Sequence, residues 1–136
     1  MIVVDNSVLV YFWLPGAFAE WAEAAKAQDG IWAAPVLWRA EFRNVLAGYL
    51  RRKLLIEAEA NAAFLNAQKD LGAQEFTVPT ERILKLVLAS DCTAYDCEYV
   101  ALAQDLGVPL VTADRQILRE FPKTAVALEK FAKKKK

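Results

Sequence analysis

The 136-residue chain contains no histidine. That absence removes Ser-His-Asp and Cys-His nucleophilic catalysis, and every acid–base step that an imidazole would carry. Cysteine is nearly absent too, with Cys92 and Cys97 alone. Two thiols with no histidine or second pair cannot build a zinc site, and they read as reduced thiols of a cytoplasmic protein. No apolar run reaches the roughly 20 residues that a membrane-spanning helix needs, so no membrane association is expected. The N-terminus shows no basic lead followed by a small-residue cleavage site, so no signal peptide is expected either. Net charge is lacking as well, with 17 Lys+Arg against 17 Asp+Glu. Four of those lysines form the terminal run 133–136; 17 less 4 leaves 13 basic residues against 17 acidic, a body near −4. There is no global positive field to draw in nucleic acid, and any such binding rests on local patches or a bound cation.

What is present is a globular composition, 56% hydrophobic and 25% charged, on a length that suits one domain with a sizeable core. Ile2, Val3 and Val4 form a β-branched run suited to a strand buried on both faces. Asp5 ends the run and Ser7 follows two residues later. A carboxylate at the carboxyl end of a buried parallel strand lies where open α/β sheets bind their ligands.

Further strands are predicted over 31–34, 75–78, 109–112 and 124–128, and helices over 7–14, 18–28, 36–53, 55–71, 80–89, 95–106 and 115–120. In the third helix Trp38, Phe42, Leu46, Tyr49 and Leu50 form a core stripe. Thr80 is expected to cap its helix. The alternation of strands with helices implies an α/β fold: a doubly wound parallel sheet flanked by helices in a three-layer sandwich, with right-handed crossovers. One domain is expected over 1–128, followed by a frayed basic tail over 129–136.

In that arrangement four acids fall at one sheet edge: Asp5 after the first strand, Asp114 after the fourth, and Glu41 and Asp96 on helices. Singly each has a structural explanation. Asp5 and Asp114 can cap the turns that follow them, Glu41 can pair with nearby arginines, and Thr93-x-x-Asp96 resembles a capping box. Together they repel one another and raise their pKa values unless a cation offsets them. Oxygen-only donors favour Mg²⁺ or Mn²⁺, and carboxylate-held divalent cations are a common apparatus for phosphodiester hydrolysis. Ser7, Asn44 and Thr112 are candidates to support the carboxylates or a metal-bound water.

Four stretches carry a resemblance: Ile2-Val3-Val4-Asp5-Asn6-Ser7; Glu41-x-x-Asn44-Val45-Leu46; Tyr95-Asp96-Cys97-Glu98-Tyr99-Val100-Ala101-Leu102-Ala103; and Leu110-Val111-Thr112-Ala113-Asp114. In order, spacing and context the chain resembles the PIN-domain family, in particular VapC-type toxin ribonucleases, over nearly its whole length. The resemblance implies Asp5, Glu41, Asp96 and Asp114 as catalytic acids, with Asp5, Asp96 and Asp114 on the metal and Ser7 and Thr112 assisting. It implies a Mg²⁺- or Mn²⁺-dependent endoribonuclease, an RNA substrate, a homodimer, and a small antitoxin protein that blocks the site. Trp13 and Trp21 are then candidates to line a groove for an antitoxin helix. A PIN nuclease of RNA processing without an antitoxin is the alternative. Two positions depart from the pattern. Gln116 stands where some relatives carry another acid, which bears on a second metal, and Cys97 replaces a small residue. A receiver-like signalling domain also gathers acids at a sheet edge. It needs an aspartate after its middle strand, whereas 75–78 ends in Pro79 with no aspartate.

Overall fold

The computed structural model describes residues 1–133. Its centre is β1 (Ile2–Val4), buried along its whole length as its β-branched run demands. On one side β1 pairs with β2 (Trp32–Pro35) and on the other with β4 (Leu110–Thr112). The edges are β3 (Glu75–Phe76) beside β2 and β5 (Ala125–Ala127) beside β4. All pairs are parallel, in the order β3-β2-β1-β4-β5. Val4 lies opposite Val111, so the carboxyl ends of β1 and β4 are level. The chain winds outward in opposite directions from these two strands, and the gap between their ends is the switch point at which such sheets bind ligands.

Among the described residues, seven helices connect the strands, α1 (Asn6–Trp13), α2 (Ala19–Gln28), α3 (Trp38–Arg51), α4 (Glu57–Leu71), α5 (Thr80–Leu88), α6 (Ala94–Leu106) and α7 (Arg115–Glu120), and α8 (Leu128–Ala132) follows the last strand. Right-handed crossovers put α1–α4 on one face of the sheet and α5–α6 on the other. Accordingly α1 rests on β1 and β4, while α6 lies across β1, β2 and β4 with α5 outside it. Lying between the sheet and α5, α6 buries nearly every residue from Cys97 to Ala103.

In α3 the stripe is real for Trp38, Phe42 and Leu46, which are buried, but Leu50 is exposed. Four-residue steps turn about 40° beyond a full circle each time, so three steps carry Leu50 about 120° away from Trp38. Trp38 stacks on Phe64 at 5.1 Å and donates its indole N–H to Glu75 Oε2 at 2.6 Å. Arg39 adds two bonds to the same carboxylate, both at 2.7 Å. This clamp ties the two-residue edge strand β3 to α3.

Three expectations need correction. The third strand stops at Phe76 because β2 offers only Ala34 and Pro35 as partners. Thr80 does not cap α5; Pro79 occupies the cap position and no side chain supplies a bond there. Residues 129–132 of the expected tail are not frayed but belong to α8, which begins at Leu128, the expected end of the last strand, and packs against α2 because Leu128 is buried and Phe131 lies on the core. Of the terminal lysines, 134–136 lie outside the described residues.

Candidate active site

Asp5 follows β1 directly and is only 6% exposed. It is the N-cap of α1: Oδ1 accepts from the Val8 amide at 3.3 Å and from Ser7 Oγ at 2.5 Å. Oδ2 accepts from Thr112 Oγ1. Thr112, fully buried in β4, also accepts from the Asp114 amide at 2.9 Å, and Ser7 Oγ accepts from the Ala113 amide at 3.3 Å. The two hydroxyls therefore bind the ends of β1 and β4 together and fix both Asp5 oxygens. Burial pushes the Asp5 carboxyl up to about 6 even though these donors pull it down, and the Asp114 charge adds slightly to the rise.

Asp114 sits two residues beyond β4 and caps α7. One oxygen does this work, with Oδ1 accepting from the amides of Gln116 at 2.8 Å and Ile117 at 3.1 Å. Among the described residues Oδ2 accepts no hydrogen bond. Glu41 lies in the first turn of α3 and accepts at Oε1 from the Tyr99 hydroxyl at 2.6 Å. Burial raises its pKa, the Tyr99 bond opposes that, and the Asp96 charge adds to it. Asp96 lies in the first turn of α6, where Thr93 Oγ1 caps its amide at 3.1 Å. Its pKa is raised by burial and then by the Asp114 charge.

All four acids line one cavity of about 350 Å³, which Ser7 and the side chains of Tyr11 and Tyr99 also wall. Thr112 does not reach the cavity and acts through its bonds to Asp5 and to the Asp114 amide. Asn44 is a correction: it is exposed and outside the cavity. It is one turn further along α3 than Glu41, about 4.5 Å down an axis that leads away from the sheet's carboxyl edge. Sequence reasoning missed Tyr99 as a site residue, although its spacing of three from Asp96 puts both on one helix face. It also missed Asn6, which lines the cavity and whose Oδ1 is buried without a hydrogen-bond partner. Trp21 is half-buried on α2, whereas Trp13 packs edge-on against Phe12 at 4.8 Å.

The donor chemistry suits a hard divalent cation, since every candidate ligand is an oxygen. Among the described residues no three acids stand close enough to form a ready-made cage. That arrangement still fits Mg²⁺, which keeps several waters and is commonly held by one or two carboxylates together with substrate phosphates. Among the described residues no helix is long and apolar enough to cross a membrane.

The chain is similar to known proteins in sequence and in fold. A family model described as PIN domain matches residues 2–124. Ribonuclease VapC3 of Pyrobaculum aerophilum is 33% identical over 124 residues, covering 89% of this chain and 95% of that protein. The crystal structure of PAE2754 from Pyrobaculum aerophilum matches with a TM-score of 0.74, covering 96% of this chain and 92% of that one. At 23% identity it bears on the fold alone.

Proposed function

The chain belongs to the PIN-domain family, in its VapC-type branch, and from that premise we propose that it is a metal-dependent endoribonuclease serving as the toxin of a toxin–antitoxin pair. The observation that carries this reading is the convergence of Asp5, Glu41, Asp96 and Asp114 on one cavity at the switch point of the sheet.

Asp5, Asp96 and Asp114 are the candidates to hold Mg²⁺ or Mn²⁺, one or two of them at a time, with waters and a substrate phosphate completing the shell. When bound, such an ion offsets charge on the phosphate and lowers the pKa of water. Asp5 is the rigid member, because Ser7 and Thr112 hold both of its oxygens. Asp114 offers Oδ2 while Oδ1 stays with the helix. Glu41 has a raised pKa and one oxygen held by Tyr99, which suits Oε2 to accept a proton from an attacking water.

The substrate in this reading is RNA, in single-stranded loops whose backbone can reach the acids. The acidic cavity also suits a basic side chain of a small antitoxin that would block it. Two copies of the chain would associate through the exposed apolar side chains Leu84, Leu88 and Tyr95 of α5 and α6.

The test is cleavage of RNA by purified protein with Mg²⁺, with Mn²⁺ and with excess EDTA. Cleavage should require the ion, and Asp96→Asn should lower it by orders of magnitude. Undiminished cleavage in EDTA would overturn the metal mechanism.

A further inference from the structure

Beside the acidic cavity lies a second one of about 320 Å³, on the far side of Tyr11 and Ala113, which wall both. Its character is different. Tyr11, Phe18 and Trp21 line it with aromatic rings, and Arg115 adds a cation. Phe18 and Trp21 stack at 5.2 Å with 23° between their planes, and Tyr11 meets Phe18 at 5.1 Å. Phe18 remains 42% exposed. Among the described residues no carboxylate forms a salt bridge with Arg115. Glu129 also lines the cavity, but Lys133 Nζ engages its Oε1 at 2.9 Å and offsets its charge.

The size and place of the cavity limit its occupant. A helix is about 10–12 Å across with its side chains, so a cavity of this volume takes one side chain or one planar base, not the helix itself. Aromatic faces next to a cation are the elements with which proteins hold unpaired nucleobases and the phosphates that follow them. The shared wall puts a strand lying over the acids within reach of these rings.

We propose that this second cavity is a nucleobase subsite, in which Phe18, Trp21 and Tyr11 stack one unpaired base of the RNA strand whose phosphate lies at the four acids. Arg115 contacts the neighbouring phosphate. The position of the strand rests on the nuclease reading; the stacking itself does not.

The experiment measures binding of two labelled strands by anisotropy at fixed salt, in an Asp96→Asn background with Mg²⁺. One strand is a 12-nucleotide oligoadenylate. The other is an abasic ribose-phosphate strand of equal length and charge. The background should bind oligoadenylate more tightly than the abasic strand. Phe18→Ala and Trp21→Ala should each weaken oligoadenylate binding by roughly 5- to 150-fold, the loss that a stacking ring produces. Neither should change binding of the abasic strand, and Phe18→Tyr should restore the affinity. Arg115→Ala should weaken both strands alike and flatten the salt dependence. Because Phe18 is partly exposed, its truncation opens little core, and melting curves confirm folding. Equal binding of the two strands by the background, or equal losses for both strands in Phe18→Ala, overturns the subsite. Full retention of oligoadenylate affinity in both alanine variants also overturns it and leaves the cavity to a side chain of a protein partner. Cleavage by the otherwise unaltered chain is scored separately. Base-dependent binding without cleavage would refute the nuclease reading alone, and cleavage with base-independent binding would refute the subsite alone.

Discussion

Asp5→Asn is expected to stabilise the metal-free protein at neutral pH while destroying its activity. The Asp5 carboxyl titrates at about 6 in the folded protein against 3.8 for an unperturbed aspartate, chiefly because it is buried. Between those values the folded chain keeps a proton that the unfolded chain has released. Stability therefore falls as pH rises from about 4 through about 6, and above that the full cost is in force. The difference, 6 less 3.8, is about 2.2, which at about 1.36 kcal/mol each gives about 3 kcal/mol. Asparagine escapes this cost. It keeps Oδ1 for Ser7 and Val8, and so keeps the cap. Its amide nitrogen faces the Thr112 hydroxyl, which loses its acceptor, and that costs about 1 kcal/mol. The net gain is about 2 kcal/mol, or a melting point roughly 6–8 °C higher for a domain of this size.

The assay is a set of melting curves for both proteins in EDTA from pH 4 to pH 8 at fixed ionic strength. At pH 8 the variant should melt higher; near pH 4 Asp5 is protonated in the folded chain and only partly ionised in the unfolded one, so little of the cost remains and the variant should melt level with the wild type or slightly below it. A variant that melts lower at pH 8, or a difference that ignores pH, refutes the reasoning. Mg²⁺ should then reverse the order. An ion at about 100 times its Kd adds about 2.7 kcal/mol to the chain that binds it, and the asparagine variant has lost a ligand.

Tyr99→Phe removes the donor to Glu41 and should cost about 1 kcal/mol. Because that bond lowers the Glu41 pKa, its loss should move the acidic limb of the kcat/KM profile to higher pH, and an unmoved limb would exclude Glu41 as the proton acceptor. Arg39→Ala should lower the melting point at pH 7, where Arg39 holds the Glu75 carboxyl below its unperturbed 4.5. A depressed acid contributes stability above its unfolded pKa and loses it as pH falls through its lower folded value, so the melting difference should shrink as pH falls below 4.5. Asp114→Asn keeps the α7 cap, since asparagine caps as well as aspartate, and removes a charge that raises both Asp96 and Asp5. It should melt slightly higher in EDTA while cleavage falls; a lower melting point would show that the acids do not strain one another.

The sheet and two of the acids were legible because their signals are local. A β-branched run followed by aspartate, repeated at Leu110-Val111-Thr112 with Asp114 beyond it, encodes strand ends whatever the rest of the chain does. Asn44 was misplaced because helical spacing gives the face but not the distance from the sheet edge. Tyr99 was passed over because its partner, Glu41, is 58 residues away and only the packing of α6 against the sheet brings them together. The second cavity was equally hidden. Trp21 was legible as a candidate groove aromatic, but nothing local to α2 says that Arg115 and Tyr11 would line the same cavity. The last helix was missed because Leu128 and Phe131 are its only large apolar side chains, and the charged residues around them dominate the pattern.

Capping and metal holding looked like competing explanations of the acids, but a carboxylate that caps a helix keeps an oxygen for another partner. Asp5 and Asp114 are N-caps of α1 and α7, while Glu41 and Asp96 stand in the first turns of α3 and α6. Of these helices, α1, α3 and α7 begin where β1, β2 and β4 end because each follows its strand directly; α6 follows α5 and begins at the same edge because it runs back to the start of β4. Each helix N-terminus carries about half a positive charge within its first turn. Four such termini therefore face the four carboxylates and offset part of their mutual repulsion, as the Val8 amide does for Asp5. The raised pKa values of Asp5, Glu41 and Asp96 come chiefly from burial, and a neighbouring carboxylate adds to each, so the offset is incomplete. A cap uses one carboxylate oxygen of Asp114 and leaves the other. The helix termini thus offset part of the charge gathered in one cavity, without ion pairs to these acids among the described residues, and in the proposed reading a divalent cation would offset the rest.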